Sequence, residues 1–150
     1  MESLPRITWG TPAWSPCAAT WRSLARDADL AVSTGHGLGG ITRGMEIDKP
    51  LIAAVNGFAI SGGLEIALAC DLRFCSDNAE FALQDLKWGF HACDGGLVRL
   101  PMIVGRGNAM EMILSGERID AASAHRIGLV NRVWPQAELL RHVLKPLCAT

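Results

Sequence analysis

Residues 56–71 have the sequence NGFAISGGLEIALACD, and we expect this stretch to decide the fold. It follows the apolar run LIAAV at residues 51–55, which is typical of a buried β-strand. A glycine turn ends the strand, and the pair Gly62-Gly63 opens a helix that carries Glu65 in its first turns. The first amides of a helix lack intrahelical partners, and glycine lets a ligand approach them closely. If a carbonyl were placed over Gly62, these amides would stabilise its developing negative charge.

Further motifs follow downstream. They are FALQD at residues 81–85 followed by Gly89, GGLVRLP at 95–101, LSGERIDA at 114–121, and the segment 124–133. Together with residues 56–71, these motifs resemble the signatures of the crotonase superfamily, the enoyl-CoA hydratases and isomerases. The resemblance covers roughly residues 48–135 and implies an α/β fold in which ββα units form a spiral. Periodicity alone indicates only that strands alternate with helices.

Local patterns predict where the individual elements lie. We expect strands at 51–56, 73–76, 80–83 and 129–133, and helices at 63–70, 95–104, 107–114 and 120–126. Asp120 is expected to cap its helix, which stops before Gly128. A last helix is expected to begin at Pro135, because proline is favoured at the first helical position.

The resemblance implies substrate-binding roles for Gly62, Ala28 and Asp29. Gly62 matches the glycine whose backbone N–H forms one half of the family's oxyanion hole. The other half comes from a loop of the type A-G-A-D-L, which corresponds to RDADL at residues 26–30. By alignment the second donor amide is that of Arg26, with Ala28 and Asp29 nearby. An Arg-Asp pair replaces Ala-Gly at the start of this loop, which adds bulk and restricts φ at the second donor.

Two carboxylates match the catalytic acids of the hydratases. Glu65 has apolar neighbours, so we expect burial that raises its pKa toward the range useful for proton transfer. A solvated helix residue is the alternative. Asp85 is one methylene shorter than the glutamate usual at its position, and a turn residue at a strand end is its alternative role.

The resemblance implies hydration of 2-enoyl-CoA thioesters to 3-hydroxyacyl-CoA through an enolate that the oxyanion hole stabilises. Glu65 and Asp85 would handle the water and the α-proton. No cofactor is expected because CoA is part of the substrate, and no metal is expected. A CoA-thioester isomerase or hydrolase on the same fold is one alternative, and a catalytically inactive fragment is another.

Other polar positions near these motifs leave alternatives open. Some superfamily members place an acid where Cys93 stands, one residue before Asp94, and a helix N-cap is the simpler account of Asp94. His91 and Cys93 have no further ligands at a recognisable spacing, so they do not indicate a metal site. Ser61 fills a position that is glycine in most relatives. It is not in a G-x-S-x-G elbow, and a nucleophile is its alternative role.

A second glycine motif, GHGLGG at residues 35–40, matches the dinucleotide-binding pattern G-x-G-x-x-G. That site needs a full helix after the glycines and an acid after the next strand. Only about eight residues separate these glycines from Lys49-Pro50, where any helix must end, and no acid follows the next strand. We therefore expect a flexible loop that covers the acyl pocket.

Composition limits the classes of partner. The 150-residue chain is 49% hydrophobic and 19% charged, with a net charge of −1, which gives no reason to expect nucleic acid or a membrane surface. The five cysteines include no C-x-x-C pair and indicate reduced, mostly structural thiols. We expect a cytoplasmic protein whose partner is an acyl-CoA thioester. The resemblance implies a homo-oligomer, a trimer or hexamer, if the chain is complete.

The N-terminal segment differs from the rest. Residues 1–25 contain Trp9, Trp14 and Trp21 and show neither helical nor strand periodicity. We expect an atypical segment at 1–25, a crotonase-like core at 26–135, and the start of a C-terminal helical region at 136–150. The spiral would then be incomplete at its N-terminus and lack most of its C-terminal helical module. Such a fragment would have no paired strand in residues 1–25 and would be weakly active or inactive.

Overall fold

The computed structural model describes residues 7–9, 36–44 and 48–144. The strands are β1 (Ile7–Trp9), β2 (Ile52–Val55), β3 (Phe58–Ile60), β4 (Leu72–Ser76), β5 (Glu80–Ala82), β6 (Ile119–Asp120) and β7 (Arg132–Trp134). The helices are α1 (Gly62–Leu68), α2 (Gly96–Ser115), α3 (Ala121–Arg126) and α4 (Leu139–Leu144). Short 3₁₀ helices lie at Leu38–Gly40 and Asp85–Trp88.

The strands form two sheets, and from β2 to β5 successive strands alternate between them. One sheet has the order β1-β2-β4-β7, and the other has the order β3-β5-β6. The strands β2 and β3 precede α1, and β4 and β5 precede α2, so a ββα unit occurs twice. Equivalent strands of the two units are parallel, with Ile52 opposite Leu72 and Phe58 opposite Glu80. The ββα arrangement implied by the resemblance is therefore present.

One main cluster of buried side chains joins both sheets to α1 and α2. All four residues of β2 are buried, as is usual for a parallel strand covered on both faces. Helix α1 is buried from Leu64 through Leu68. A carboxylate within that range, Glu65, is therefore held inside the protein by the fold itself.

The expectation that residues 1–25 contain no paired strand is wrong. Residues 7–9 form β1, which pairs antiparallel with β2, Ile7 lying opposite Val55 and Trp9 opposite Ala53. Isoleucine, threonine and tryptophan all favour strands, but three residues are too few to show a period in a window of 11–18. The strand β2 therefore has a neighbour on each side, β1 and β4.

Other boundaries differ from the expected ones for local reasons. The strand β3 was not expected, because it is three residues long and lies between a turn and a helix. The two helices expected at 95–104 and 107–114 form the single α2, in which Gly105 departs from helical geometry with φ 77°. The strand β7 begins at Arg132, later than expected, and α4 begins at Leu139 rather than at Pro135. Asp120 does cap α3, since its Oδ1 accepts a bond of 2.8 Å from Ser123 N.

Candidate active site

The site begins at the junction of β3 and α1, which is a single residue, Ser61. Its backbone has φ 49° and ψ −115°, and it is the one non-glycine residue with positive φ in the described ranges. Its N–H donates to Ala82 O at 2.8 Å, and its Oγ accepts from Gln84 N at 3.2 Å. This conformation is costly for a residue with a Cβ. It explains why glycine suits the position, and why the strand can turn directly into the helix.

The backbone N–H of Gly62 is the first amide of α1. It makes no hydrogen bond to any residue that the structure describes. The side chain of Leu38 lies against this glycine, with Cδ1 only 3.0 Å from where a Cβ at position 62 would stand. The expected second donor, Arg26, and its neighbours Ala28 and Asp29 lie outside the described residues. The role of Gly62 as an oxyanion donor therefore stays a prediction with compatible local geometry.

Glu65 is buried, with 3% of its surface exposed. Its Oε1 accepts hydrogen bonds from Asp94 N at 2.7 Å and from Gly96 N at 2.9 Å. Both amides lie at the N-terminal end of α2, so the carboxylate carried by α1 is bound at the start of α2. Burial raises the pKa of Glu65 above its ordinary value. The bonds from Gly96 and Asp94 oppose that rise in the pKa, while the charges of Asp94 and Asp85 add to it.

Asp85 begins the 3₁₀ helix that follows β5 and is 6% exposed. Its Oδ2 is buried and has no hydrogen-bond partner within the described residues. An unsatisfied buried oxygen costs free energy, so this atom is available to a ligand or a water. The charge of Asp85 acts on Glu65, which places the two predicted acids in one electrostatic environment. Their catalytic roles stay predictions.

Asp94 is not the helix cap that we expected. The N-cap of α2 is Gly95, whose φ of 100° suits glycine, and no side chain caps this helix. The Asp94 carboxylate turns instead toward residues 36–44, where it accepts from Thr42 Oγ1 at 2.9 Å and pairs with Arg43 Nε at 3.0 Å. Residues Thr42 and Arg43 were missed because these contacts join positions about fifty apart in sequence, which no local pattern reveals.

The described glycines of the motif at 35–40 lie in a loop and not at the start of a full helix, so the dinucleotide interpretation is excluded as expected. The glycines are followed by a three-residue 3₁₀ turn at Leu38–Gly40 instead of a full helix. The described part of this loop lies over α1, where the position of a Cβ at Gly39 is 3.5 Å from Ile66 Cδ1. The loop therefore covers the start of α1, where a substrate carbonyl was expected.

A half-open cavity of about 530 Å³ lies between this loop and the first turns of α2. It is lined by Thr42, Arg43, Cys93, Asp94, Gly95, Val98, Arg99 and Met102. Neither Glu65 nor Asp85 lines it, so this cavity by itself does not define the predicted site. The shared wall at Asp94 and Gly95 separates it from Glu65.

The remaining candidates have local structural roles. Cys93 Sγ lies 3.5 Å from His91 Nδ1, and the described residues contain no group of three metal-ligating side chains. Burial raises the pKa of the Cys70 and Cys75 thiols to about 12, which keeps them protonated. No side-chain base bonds to Ser61 Oγ among the described residues, and activation of a serine nucleophile needs one.

Comparison with known proteins decides the family. The sequence profile described as enoyl-CoA hydratase/isomerase matches residues 22–149. The chain belongs to the enoyl-CoA hydratase/isomerase family. The chain is 47% identical over 116 residues to the carnitinyl-CoA dehydratase of Escherichia coli strain K12, covering 77% of this chain and 43% of that protein. A carnitinyl-CoA dehydratase from Citrobacter koseri is 46% identical over the same length.

Solved structures of the hydratase/isomerase family agree with the fold. The structure of a carnitinyl-CoA dehydratase from Mycobacterium avium superposes with a TM-score of 0.72 at 41% identity, over 76% of this chain and 44% of that one. An enoyl-CoA hydratase from Mycobacterium marinum gives a TM-score of 0.73 at 38% identity, over 78% of this chain and 47% of that one. The chain thus spans less than half the length of these relatives. No helix in the described ranges is long and apolar enough to cross a bilayer.

Proposed function

We propose that this chain carries the site of a CoA-thioester hydratase that adds water to 2-enoyl-CoA to give 3-hydroxyacyl-CoA. The observation that supports this most directly is the placement of Glu65. It is a buried carboxylate of raised pKa in the first turns of α1, the helix whose first amide, Gly62 N–H, makes no bond to the described residues. A proton donor or acceptor close to an anion-binding amide is what addition to an enoyl thioester requires.

The proposed reaction divides its work between an amide and two carboxylates. The thioester oxygen lies at Gly62 N–H, which stabilises the negative charge that forms when water adds to C3. One carboxylate of the pair Glu65 and Asp85 accepts the proton of that water, and the other delivers a proton to C2. The two carboxylates can divide these roles because their environments differ. Glu65 Oε1 accepts hydrogen bonds from two amides, whereas Asp85 Oδ2 accepts none from the described residues. CoA arrives with the substrate, and the proposal uses no separate cofactor.

The names of the relatives favour the same chemistry in the other direction. Several are carnitinyl-CoA dehydratases, and dehydration of a 3-hydroxyacyl thioester is the reverse of hydration. The same amide and carboxylates serve both directions, because a transition state is shared by forward and reverse steps. We therefore propose a reversible hydratase/dehydratase and commit to no acyl group.

The test is an assay of the 150-residue chain with crotonyl-CoA. Loss of the enoyl absorbance with appearance of 3-hydroxybutyryl-CoA by chromatography is expected for hydration. The variants Glu65→Gln and Asp85→Asn should each lose about 10²–10⁴-fold in rate. Release of free CoA would indicate a hydrolase. With a 3-enoyl-CoA as the substrate, migration of the double bond would indicate an isomerase. A wild-type chain that binds crotonyl-CoA without converting it would show that the chain is catalytically inactive.

A further inference from the structure

We propose that Asp94 is a positioning residue that fastens residues 36–44, here named the Gly-rich loop, over the Gly62 amide. The inference rests on the proposed function, since it assigns to the loop the task of enclosing the thioester site. It concerns a residue whose side chain bonds to the loop and not to Glu65. Its backbone nonetheless touches that acid, so one residue connects the loop to the candidate catalytic group.

The carboxylate of Asp94 gathers three donors from the loop on one oxygen. Its Oδ1 accepts from Thr42 Oγ1 at 2.9 Å, pairs with Arg43 Nε at 3.0 Å, and is 3.4 Å from Leu38 N. The Asp94 side chain is only 15% exposed, so water competes weakly for these bonds. Charge-assisted hydrogen bonds of this kind are stronger than neutral ones.

Two arginines strengthen the same attachment from both sides. Arg99, on α2, donates to Asp94 O at 2.9 Å and to Thr42 O at 2.7 Å. Arg43, on the loop, donates in return to Cys93 O at 3.1 Å. A Cβ at Gly37 would collide with Thr42 Oγ1 and Asp94 Oδ1, so the loop backbone comes as close to the carboxylate as a glycine permits.

This attachment places Leu38 at the predicted oxyanion site. With the loop fastened, Leu38 Cδ1 lies 3.0 Å from the Cβ position of Gly62. An apolar side chain there keeps water from one side of the Gly62 amide and strengthens any hydrogen bond that the amide donates. At the same time Asp94 N donates to Glu65 Oε1 at 2.7 Å. The backbone amide and the side chain of one residue, Asp94, thus set the loop and the acid relative to each other.

The experiment compares Asp94→Ala, Leu38→Ala and the double variant with the wild-type chain. The first readout is hydrogen exchange of the Gly-rich loop measured by mass spectrometry, which is independent of activity. Asp94→Ala should raise the exchange rate of this loop about tenfold or more, because the released loop is closed for a smaller fraction of time. Leu38→Ala should leave the exchange rate nearly unchanged, since the three bonds to Asp94 do not involve its side chain.

The second readout is kcat/KM for crotonyl-CoA. Each single variant should lower it about tenfold, and the double variant should match Asp94→Ala, because a released loop no longer presents Leu38 to the site. Asp94→Asn keeps the size and two acceptor contacts but loses the ion pair, so it should fall between wild type and Asp94→Ala in both readouts. Glu80→Ala is the matched control, since it breaks an ion pair of 3.1 Å with Arg118 elsewhere on the surface and should change neither readout.

The two readouts separate the possible failures. Unchanged exchange in Asp94→Ala, with a folded chain by circular dichroism, would refute the attachment. Effects on kcat/KM that multiply in the double variant would refute the link from Asp94 to Leu38. A wild-type chain without hydratase activity would overturn the proposed function, and the exchange rates would still decide whether Asp94 fastens the loop.

Discussion

Replacing Glu65 with glutamine should raise stability and lower activity about 10²–10⁴-fold, and the gain in stability should depend on pH. Glutamine has the same shape, and its Oε1 can keep both bonds from Asp94 N and Gly96 N. What it removes is the charge that burial disfavours. Burial raises the pKa of the Glu65 carboxyl above its ordinary value of 4.5 in spite of those two bonds, so the net environment of the folded protein favours the neutral form.

The sign and size of the effect follow from proton linkage. Well below pH 4.5 the carboxyl is protonated in both the folded and the unfolded chain, and wild type and Glu65→Gln should there have equal stability. Between the unfolded pKa and the raised folded pKa, the folded chain binds one proton more than the unfolded chain. The free energy of unfolding of wild type therefore falls relative to the variant, with a slope of at most about 1.4 kcal/mol per pH unit. Above the folded pKa the difference is constant.

Urea unfolding of both proteins from about pH 3 to pH 8 measures this difference directly. We expect coincident curves at the acid end and a more stable variant at pH 7 and above. The crotonyl-CoA hydration rate of the variant should fall about 10²–10⁴-fold over the same range. Gain of stability with loss of function is typical of a strained active-site group. A variant less stable than wild type at pH 7, or a difference that does not change with pH, would refute the reasoning.

Three further changes test neighbouring parts of the site and its support. Asp85→Asn should lower the hydration rate about 10²–10⁴-fold with little change in the urea midpoint, because Asp85 Oδ2 has no partner in the described chain to lose; a large destabilisation would assign Asp85 a structural role. Ser61→Gly and Ser61→Ala both remove the Oγ that accepts from Gln84 N, at a cost of about 1 kcal/mol. Only Ser61→Gly also relieves φ 49°, so it should be more stable than Ser61→Ala by about 1 kcal/mol; equal stabilities in urea would contradict this. Arg73→Ala should lower the free energy of unfolding by about 2–4 kcal/mol, because the buried guanidinium donates to the carbonyls of Leu129 and Cys70. Thermal unfolding measures this loss, with Arg118→Ala as the exposed control.

The local part of the site could be predicted because its causes are local. The apolar neighbours of Glu65 indicated burial, and the structure shows both the burial and the direction of the pKa shift. The Asp120 cap was predictable because its partner, Ser123, is three residues away. Gly105 lies between the two helices expected at 95–104 and 107–114, and α2 departs from helical geometry at this glycine. In each case the interaction spans less than one or two helical turns.

The parts that were missed depend on distant segments of the chain. Asp94 stands before a helix, so the local pattern favours a cap. Loop donors more than fifty residues away provide a stronger alternative for its carboxylate. The strand β1 has three residues and exists by pairing with β2, which a periodicity window cannot detect. Single-sequence patterns therefore located the acid and a covering loop at 35–40, but not the bonds from Asp94 to Thr42 and Arg43 that hold this loop.

The two glycine pairs Gly62-Gly63 and Gly95-Gly96 have similar sequences but different hydrogen-bond partners. Both open helices, and both could be interpreted from sequence as sites where backbone amides meet an anion. At the second pair the anion belongs to the protein itself. The position of a Cβ at Gly96 is 3.1 Å from Glu65 Oε1, so a side chain there would displace the carboxylate that the Gly96 amide binds. The first pair has no such internal partner among the described residues. The fold thus uses the start of α2 to hold the acid and leaves the start of α1 for the substrate that we propose.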